Sequence, residues 1–188
     1  MVQVKPRGAS KSHGEFISLT AVDVLTGDVL VNSLVDPDGP ISCWLTHLTG
    51  VTKKDLHRAR SQRAALKGFE GARDKSFEHI DSSTILVGHA LENDLRVLRM
   101  AHDLIVDTQI VADNAVQVKG NSCGLKTLCG KFLGQEIQKD AHSSLEDTMA
   151  TREVLLCFVR NPNELKAWGR ARQRDFPPID DDESDPEP

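Results

Sequence analysis

Apolar and β-branched residues alternate through Phe16-Ile-Ser-Leu-Thr-Ala-Val-Asp-Val24, the period of a strand with one buried face. Thr26-Gly27-Asp28 reads as a turn, and Val29-Leu-Val-Asn-Ser-Leu34 as the return strand of a hairpin, ended by Asp36-Pro37-Asp38-Gly39-Pro40. The period then changes. Residues 44–80 read mainly as helix: Thr52 is placed to cap one carrying Leu56, and a second runs near 61–80. Ile85-Leu86-Val87 is a short buried strand that turns through Gly88 into a helix marked by Leu91, Leu95 and Leu98. Leu104 to Thr108 reads as another strand. Leu125, Leu128, Phe132 and Leu133 recur at helical spacing up to Gly134. Ser143-x-x-Glu146 is a capping box, so a long helix starts just after His142 and ends at Asn161-Pro162. Hairpin, helices, strand, helix, strand and helices in that order predict an α/β domain, a mixed sheet flanked by helices.

Composition changes this picture at the ends. A chain of 188 residues with 39 % hydrophobic content has room for one well-buried core. Neither an apolar run of membrane length nor a secretory signal stands out, which predicts a nuclear or cytoplasmic chain that is not secreted. Cys43, Cys123, Cys129 and Cys157 lack zinc-like spacing and read as reduced, mostly buried thiols. The net charge is −5, but residues 175–188 carry seven acids and no base, so residues 1–174 carry +2. The acidic end reads as a disordered tail, able to bind a basic protein partner or to occupy an RNA groove by mimicking phosphate. Lys166, Arg170, Arg172 and Arg174 form a basic coda before it.

Candidate chemistry gathers at two clusters. Gly88-His89-Ala90-Leu91-Glu92-Asn93-Asp94 sits at a strand-to-helix corner, where open α/β sheets place ligands. His142-Ser143-Ser144-Leu145-Glu146-Asp147 opens the later helix. Asp94 and Asp147 each fall near a helix start, where the macrodipole favours a negative charge. Two carboxylates brought together repel unless a cation lies between them, and hard oxygen donors suit Mg²⁺ or Mn²⁺. A histidine beside a metal-bound water can take its proton near neutral pH. Each residue alone has a plainer use: an acid in a first turn is usually a cap or a surface charge. His89 reads as packed or hydrogen-bonded at the strand end. Trp44 with His47 offers a stacking face for a base, although core packing is the commoner use of such a Trp.

Taken together, GHALENDLRVL at 88–98, IVDT at 105–108, GLKTLCGKFLG at 124–134 and HSSLEDTMAT at 142–151 resemble the DEDDh 3′→5′ exonucleases, above all the Rex-like eukaryotic RNA exonucleases. AVDVLTGDVLVNSLVDPDGPI at 21–41 and WLTHLTGVTKKDL at 44–56 are similar to the same group. The resemblance covers about residues 15–160. It implies an RNase H-like mixed sheet, two-metal hydrolysis of phosphodiesters with Mg²⁺ or Mn²⁺, and the 3′ end of single-stranded RNA as substrate. It further implies Asp94 and Asp147 as metal ligands, His142 as general base, and Leu48, Thr49, Gly50 and Asn93 near the terminal nucleotide. The expected organisation is a loop with a remnant of the first strand (1–14), the exonuclease domain (15–160), a basic extension (161–174) and the acidic tail.

One departure matters. The family's first motif, a central strand reading Asp-x-Glu, has no counterpart before residue 28, and Asp23 has Leu25 where the glutamate belongs. With two of four acids missing, metal binding and activity are expected to be impaired. Either the natural chain is longer at its start, which the survival of Asp94, His142 and Asp147 favours, or this is a non-catalytic nucleic-acid-binding or scaffold relative. A DNA exonuclease of the same class is a third reading.

Overall fold

The computed structural model describes residues 2–3, 16–39, 41, 44–117, 122–139 and 141–175. The acidic tail after residue 175, the loop at 5–14 and Cys43 lie outside the described residues. In chain order the elements are β1 (Val2–Gln3), β2 (Ser18–Val22), β3 (Val29–Asp36), α1 (Thr46–Thr49), α2 (Lys53–Ser61), β4 (Leu66–Lys67), α3 (Gly68–Phe77), β5 (Leu86–Gly88), α4 (Leu91–Leu98), β6 (Ile105–Asp107), α5 (Thr108–Val116), α6 (Leu125–Phe132), α7 (Ser144–Arg160) and α8 (Pro162–Asp175).

The hairpin forms as its alternation requires. β2 and β3 pair antiparallel, and the period-two pattern buries Leu19, Val31 and Val35 on one face. The turn is held from within and from outside. Asp23 Oδ1 accepts the amides of Leu25 and Thr26, each at 2.8 Å. The Arg152 guanidinium of α7 donates to the carbonyls of Val24 at 2.7 Å and Leu25 at 3.0 Å. Asp23 is thereby a turn residue, and its amide partners hold its carboxyl below the usual range, Thr26 most strongly.

The sheet is in two pieces. β1, β2 and β3 run antiparallel, with β4 added parallel to β3. β5 and β6 form a separate parallel pair. β1 covers only Ser18 and Leu19 of β2, so among the described residues no strand joins β2 to β5. A largely apolar cavity of about 660 Å³ lies there, walled by Leu19, Ala21 and Val22 on one side and Leu86 and Val87 on the other. The expected mixed sheet is present, in two pieces among the described residues.

Two clusters form the core. One joins β2, β3 and α3 with Leu98 at the end of α4. The other joins α5, α6, α7 and α8, with Phe132 edge-on to both Phe158 and Trp168. The coda is helical, and Leu165 of α8 is buried in this second cluster. Three local expectations need correction. α5 has no counterpart in the hydrophobic reading, because a cap from β6 starts it. The helix expected near 61–80 begins only at Gly68, since Leu66 and Lys67 pair with Val35 and Asp36. The capping box of α7 is only half formed. Ser143 Oγ accepts the Glu146 amide at 3.3 Å, but the Glu146 carboxylate accepts the Gln138 amide at 3.1 Å instead.

Candidate functional site

The corner at Gly88 is built by one carboxylate. β5 and β6 register Gly88 opposite Asp107. Ala90 is in the left-handed region at φ 55° and α4 has no side-chain cap of its own. Asp107 supplies the cap from across the register. Its Oδ2 accepts the Leu91 amide at 2.7 Å, and its Oδ1 accepts the amides of Ala90 at 3.1 Å and Gln109 at 2.9 Å. One buried side chain therefore starts both α4 and α5. Gly88 lets the helix begin directly over the strand end: a Cβ there would lie 2.7 Å from the Leu91 Cβ. Thr108 Oγ1 donates to the Gly88 carbonyl and contacts His89 Nδ1, both at 3.1 Å. His89 is thus a structural, hydrogen-bonded residue. Burial pushes its pKa down, against the pull of Asp107 and Asp113.

That corner fixes Asp94, which is 6 % exposed on α4. Asp94 lines the cavity between the two sheet pieces together with Thr148 and Arg152 of α7. Asn93, one residue earlier, is exposed, and its Oδ1 accepts from Arg96 a turn further on.

The second cluster closes around Asp147, which is 2 % exposed in the first turn of α7. Gln138 Nε2 donates to Asp147 Oδ1 at 2.8 Å, and His142 Nδ1 lies 3.6 Å from Asp147 Oδ2. His142 remains one-third exposed. Its amide donates to the Leu48 carbonyl at 2.7 Å, which ties the end of α1 to this cluster. A Cβ at Gly50 would lie 3.3 Å from the Ala141 Cβ, so the loop presses close. Leu48 and Gly50 are exposed beside His142. Thr49 is buried, and its hydroxyl donates to Trp44 and accepts from Val51.

The structure thus brings together His142, Asp147 and the Leu48–Gly50 loop. Asp94 lines a cavity that is also lined by Thr148, the residue after Asp147. Sequence reasoning missed Asp107 and Gln138. An acid between a strand and a helix, as in IVDT, is an N-cap signal that points to Asp107. Nothing local marks Gln138.

Whether a metal fits can be judged from the donors. Asp94 and Asp147 offer the hard oxygens that Mg²⁺ or Mn²⁺ requires. Among the described residues, however, no group of three His, Cys, Asp or Glu side chains is placed to hold a metal ion. Asp147 already accepts from Gln138. The donors have the right chemistry, but they do not complete a cation site.

The chain matches the RNase_T exonuclease family model over residues 1–155. RNA exonuclease 3 of Eremothecium gossypii is 38 % identical over 156 residues, which is 82 % of this chain and 38 % of that protein. Small RNA degrading nuclease 3 of Arabidopsis thaliana is 36 % identical over 70 % of this chain and 16 % of its own length. The chain therefore spans well under half of either relative. Among solved structures, the Saccharomyces cerevisiae PAN2 pseudoubiquitin-hydrolase–RNase module covers 93 % of this chain with TM-score 0.72 and 18 % identity, using 29 % of its own length. The Neurospora crassa Pan2 catalytic unit covers 87 % of this chain, and 27 % of that one, with TM-score 0.71 and 16 % identity. Such a likeness establishes the fold: a mixed α/β domain, a small sheet flanked by helices, like that of the Pan2 structures. No helix among the described residues is long and apolar enough to cross a membrane.

Proposed function

The chain belongs to the RNase_T exonuclease family, and on that footing we propose that it is a 3′→5′ exoribonuclease domain of the DEDDh type that trims single-stranded RNA from its 3′ end. The observation that supports it is the His142–Asp147 pair: an accessible imidazole 3.6 Å from a buried carboxylate. In the proposed reaction a water oxygen attacks the last phosphorus, and the bond to the 3′ oxygen of the preceding nucleotide breaks, that oxygen taking a proton from solvent to leave as a 3′-hydroxyl. His142 accepts the proton of that water, and Asp147 orients the ring and stabilises the imidazolium that forms. Gln138 holds the other oxygen of Asp147 and so fixes the carboxylate plane. Leu48 and Gly50, fixed against His142, are proposed to touch the terminal nucleotide, with Thr49 shaping the loop. Asn93 stands near the same end of α4.

We further propose Asp94 and Asp147 as two carboxylates of a site for Mg²⁺ or Mn²⁺. The resemblance implies four carboxylates at this site, and with only these two the ion is proposed to bind weakly and the activity of this chain as it stands to be impaired. The domain is proposed to run over residues 15–160, in a nuclear or cytoplasmic protein. The test is trimming of a 5′-labelled single strand with Mg²⁺, Mn²⁺ or EDTA. It is run on this chain and on a form extended upstream by a strand bearing Asp-x-Glu. A one-nucleotide ladder that depends on the metal and is lost in His142→Ala is the expected result in the extended form. No ladder in that form refutes the catalytic reading. A second reading, an inactive RNA-binding relative, draws on the incomplete cation site. It predicts RNA binding without cleavage in both forms. The same assay on a DNA strand separates ribonuclease from deoxyribonuclease.

A further inference from the structure

Residues 53–63 read Lys-Lys-Asp-Leu-His-Arg-Ala-Arg-Ser-Gln-Arg, five cations and one acid. Burial sorts them. Leu56 is buried, while Lys53, Lys54, His57, Arg58 and Arg63 are exposed. At 100° per residue, Lys53, His57, Lys54 and Arg58 fall within one arc of about 140° on α2, which starts about 60° from Leu56. The one acid, Asp55, borders the arc and acts on Arg58, but its oxygens are engaged at the helix start. Asp55 is half-buried and closes a capping box, accepting from the Thr52 amide at 2.9 Å and the Thr52 hydroxyl at 2.6 Å. Arg60 is neutralised by Asp36, with Nε 2.8 Å from Oδ2. Among the described residues no ion pair involves Lys53, Lys54, Arg58 or Arg63.

This stripe starts beside the site. A Cβ at Gly50 would lie 3.3 Å from that of Ala141, next to His142. Lys53 is three residues on, within ~11 Å of Gly50 by chain length alone. The nine residues of α2 then carry the stripe ~14 Å further. The Thr52 cap and the Leu48 bond to His142 hold the start of α2 in place near the cluster.

We propose that Lys53, Lys54, Arg58 and Arg63 form a phosphate track for the single-stranded RNA upstream of the terminal nucleotide. This rests on the exonuclease reading of the His142–Asp147 site. Its consequence is length selection: a substrate too short to reach α2 gains nothing from the track, and a longer one is held at several phosphates.

The experiment measures equilibrium binding of the full chain to labelled two-nucleotide and eight-nucleotide RNAs, in EDTA, over a salt series. The octamer is expected to bind more tightly and with the steeper salt dependence. K53Q/K54Q/R58Q/R63Q should lower the octamer's slope of log affinity against log salt by about 3, since each single-strand phosphate contact contributes about 0.7. It should also remove the octamer's advantage over the dimer. The single variants K54Q and R63Q should each lower the slope by about 0.7, which keeps the test valid if the quadruple variant misfolds. K166Q/R170Q/R174Q, which removes exposed cations of α8, should leave the slope as it is. An unchanged slope in the α2 variants, or an equal fall in the α8 variant, overturns the track. Poly-glutamate displacing the octamer at equal charge concentration also overturns it and assigns the stripe to an acidic protein. Failure of the extended form to trim RNA sinks the catalytic reading without changing these slopes.

Discussion

Replacing Asp107 with alanine removes one side chain and unpairs three backbone donors. The amides of Ala90, Leu91 and Gln109 all end on its two oxygens. A hydrogen bond to a charged acceptor contributes about 1.5–3 kcal/mol net. The three are not independent. Leu91 is 4 % exposed, whereas Ala90 and Gln109 are partly open and can recruit water. Loss of one full bond, two partly replaced ones and the cap of two helices gives about 3–5 kcal/mol. That is a large part of the 5–15 kcal/mol that typically holds a domain together. Asp107→Asn keeps one acceptor oxygen in place and should cost about 1–2 kcal/mol. At about 2–4 °C per kcal/mol for a chain of this size, the alanine variant should melt about 6–20 °C lower. Thermal or urea unfolding reads this directly. Hydrogen exchange adds position: the first-turn amides of α4, which carry Asp94, should lose protection before those of α7. If Asp107→Ala melts within ~1 kcal/mol of the parent, with α4 protection intact, the shared cap is not what builds the corner.

His89 predicts a pH dependence. Burial holds its folded pKa below the free value of 6.5, so the unfolded chain binds the proton more readily. The stabilising contribution is therefore complete above pH 6.5 and is lost as pH falls through the folded pKa. Urea titrations of the parent and His89→Gln should diverge below that pH, with the parent the steeper. A parallel fall in both would remove His89 from the account. Gly88→Ala drives a Cβ to 2.7 Å from Leu91 and should destabilise by about 1–3 kcal/mol, read as a lower urea midpoint. Cys123 and Cys129 are buried and their pKa values are raised to about 11, chiefly by burial. Both should resist iodoacetamide at pH 8 in the folded chain and react after denaturation, as mass spectrometry of the peptides would show.

Much of the candidate site is legible along the chain because its parts are local. Thr52 does cap α2 through Asp55, three residues away, and Ser143 does cap α7. The alternation from Phe16 onward does give the hairpin, because one face of it meets the core. Gly88 before Leu91 marks the corner, since only a residue without a Cβ admits the helix so close to the strand end. Periodicity and caps act over three or four residues, and sequence records them in that form. The tertiary structure alone decided what meets across register and between elements. Asp107 caps a helix that starts sixteen residues earlier, because β5 and β6 pair Gly88 with it. Gln138 takes one oxygen of Asp147, and the Glu146 arm of the capping box turns to the Gln138 amide instead. Leu48, in α1, reaches His142 just before the start of α7. Asp94, Thr148 and Arg152 line one cavity although they come from two helices about fifty residues apart. These contacts depend on distances between segments far apart in the chain, and hydrophobic period carries no information about such distances.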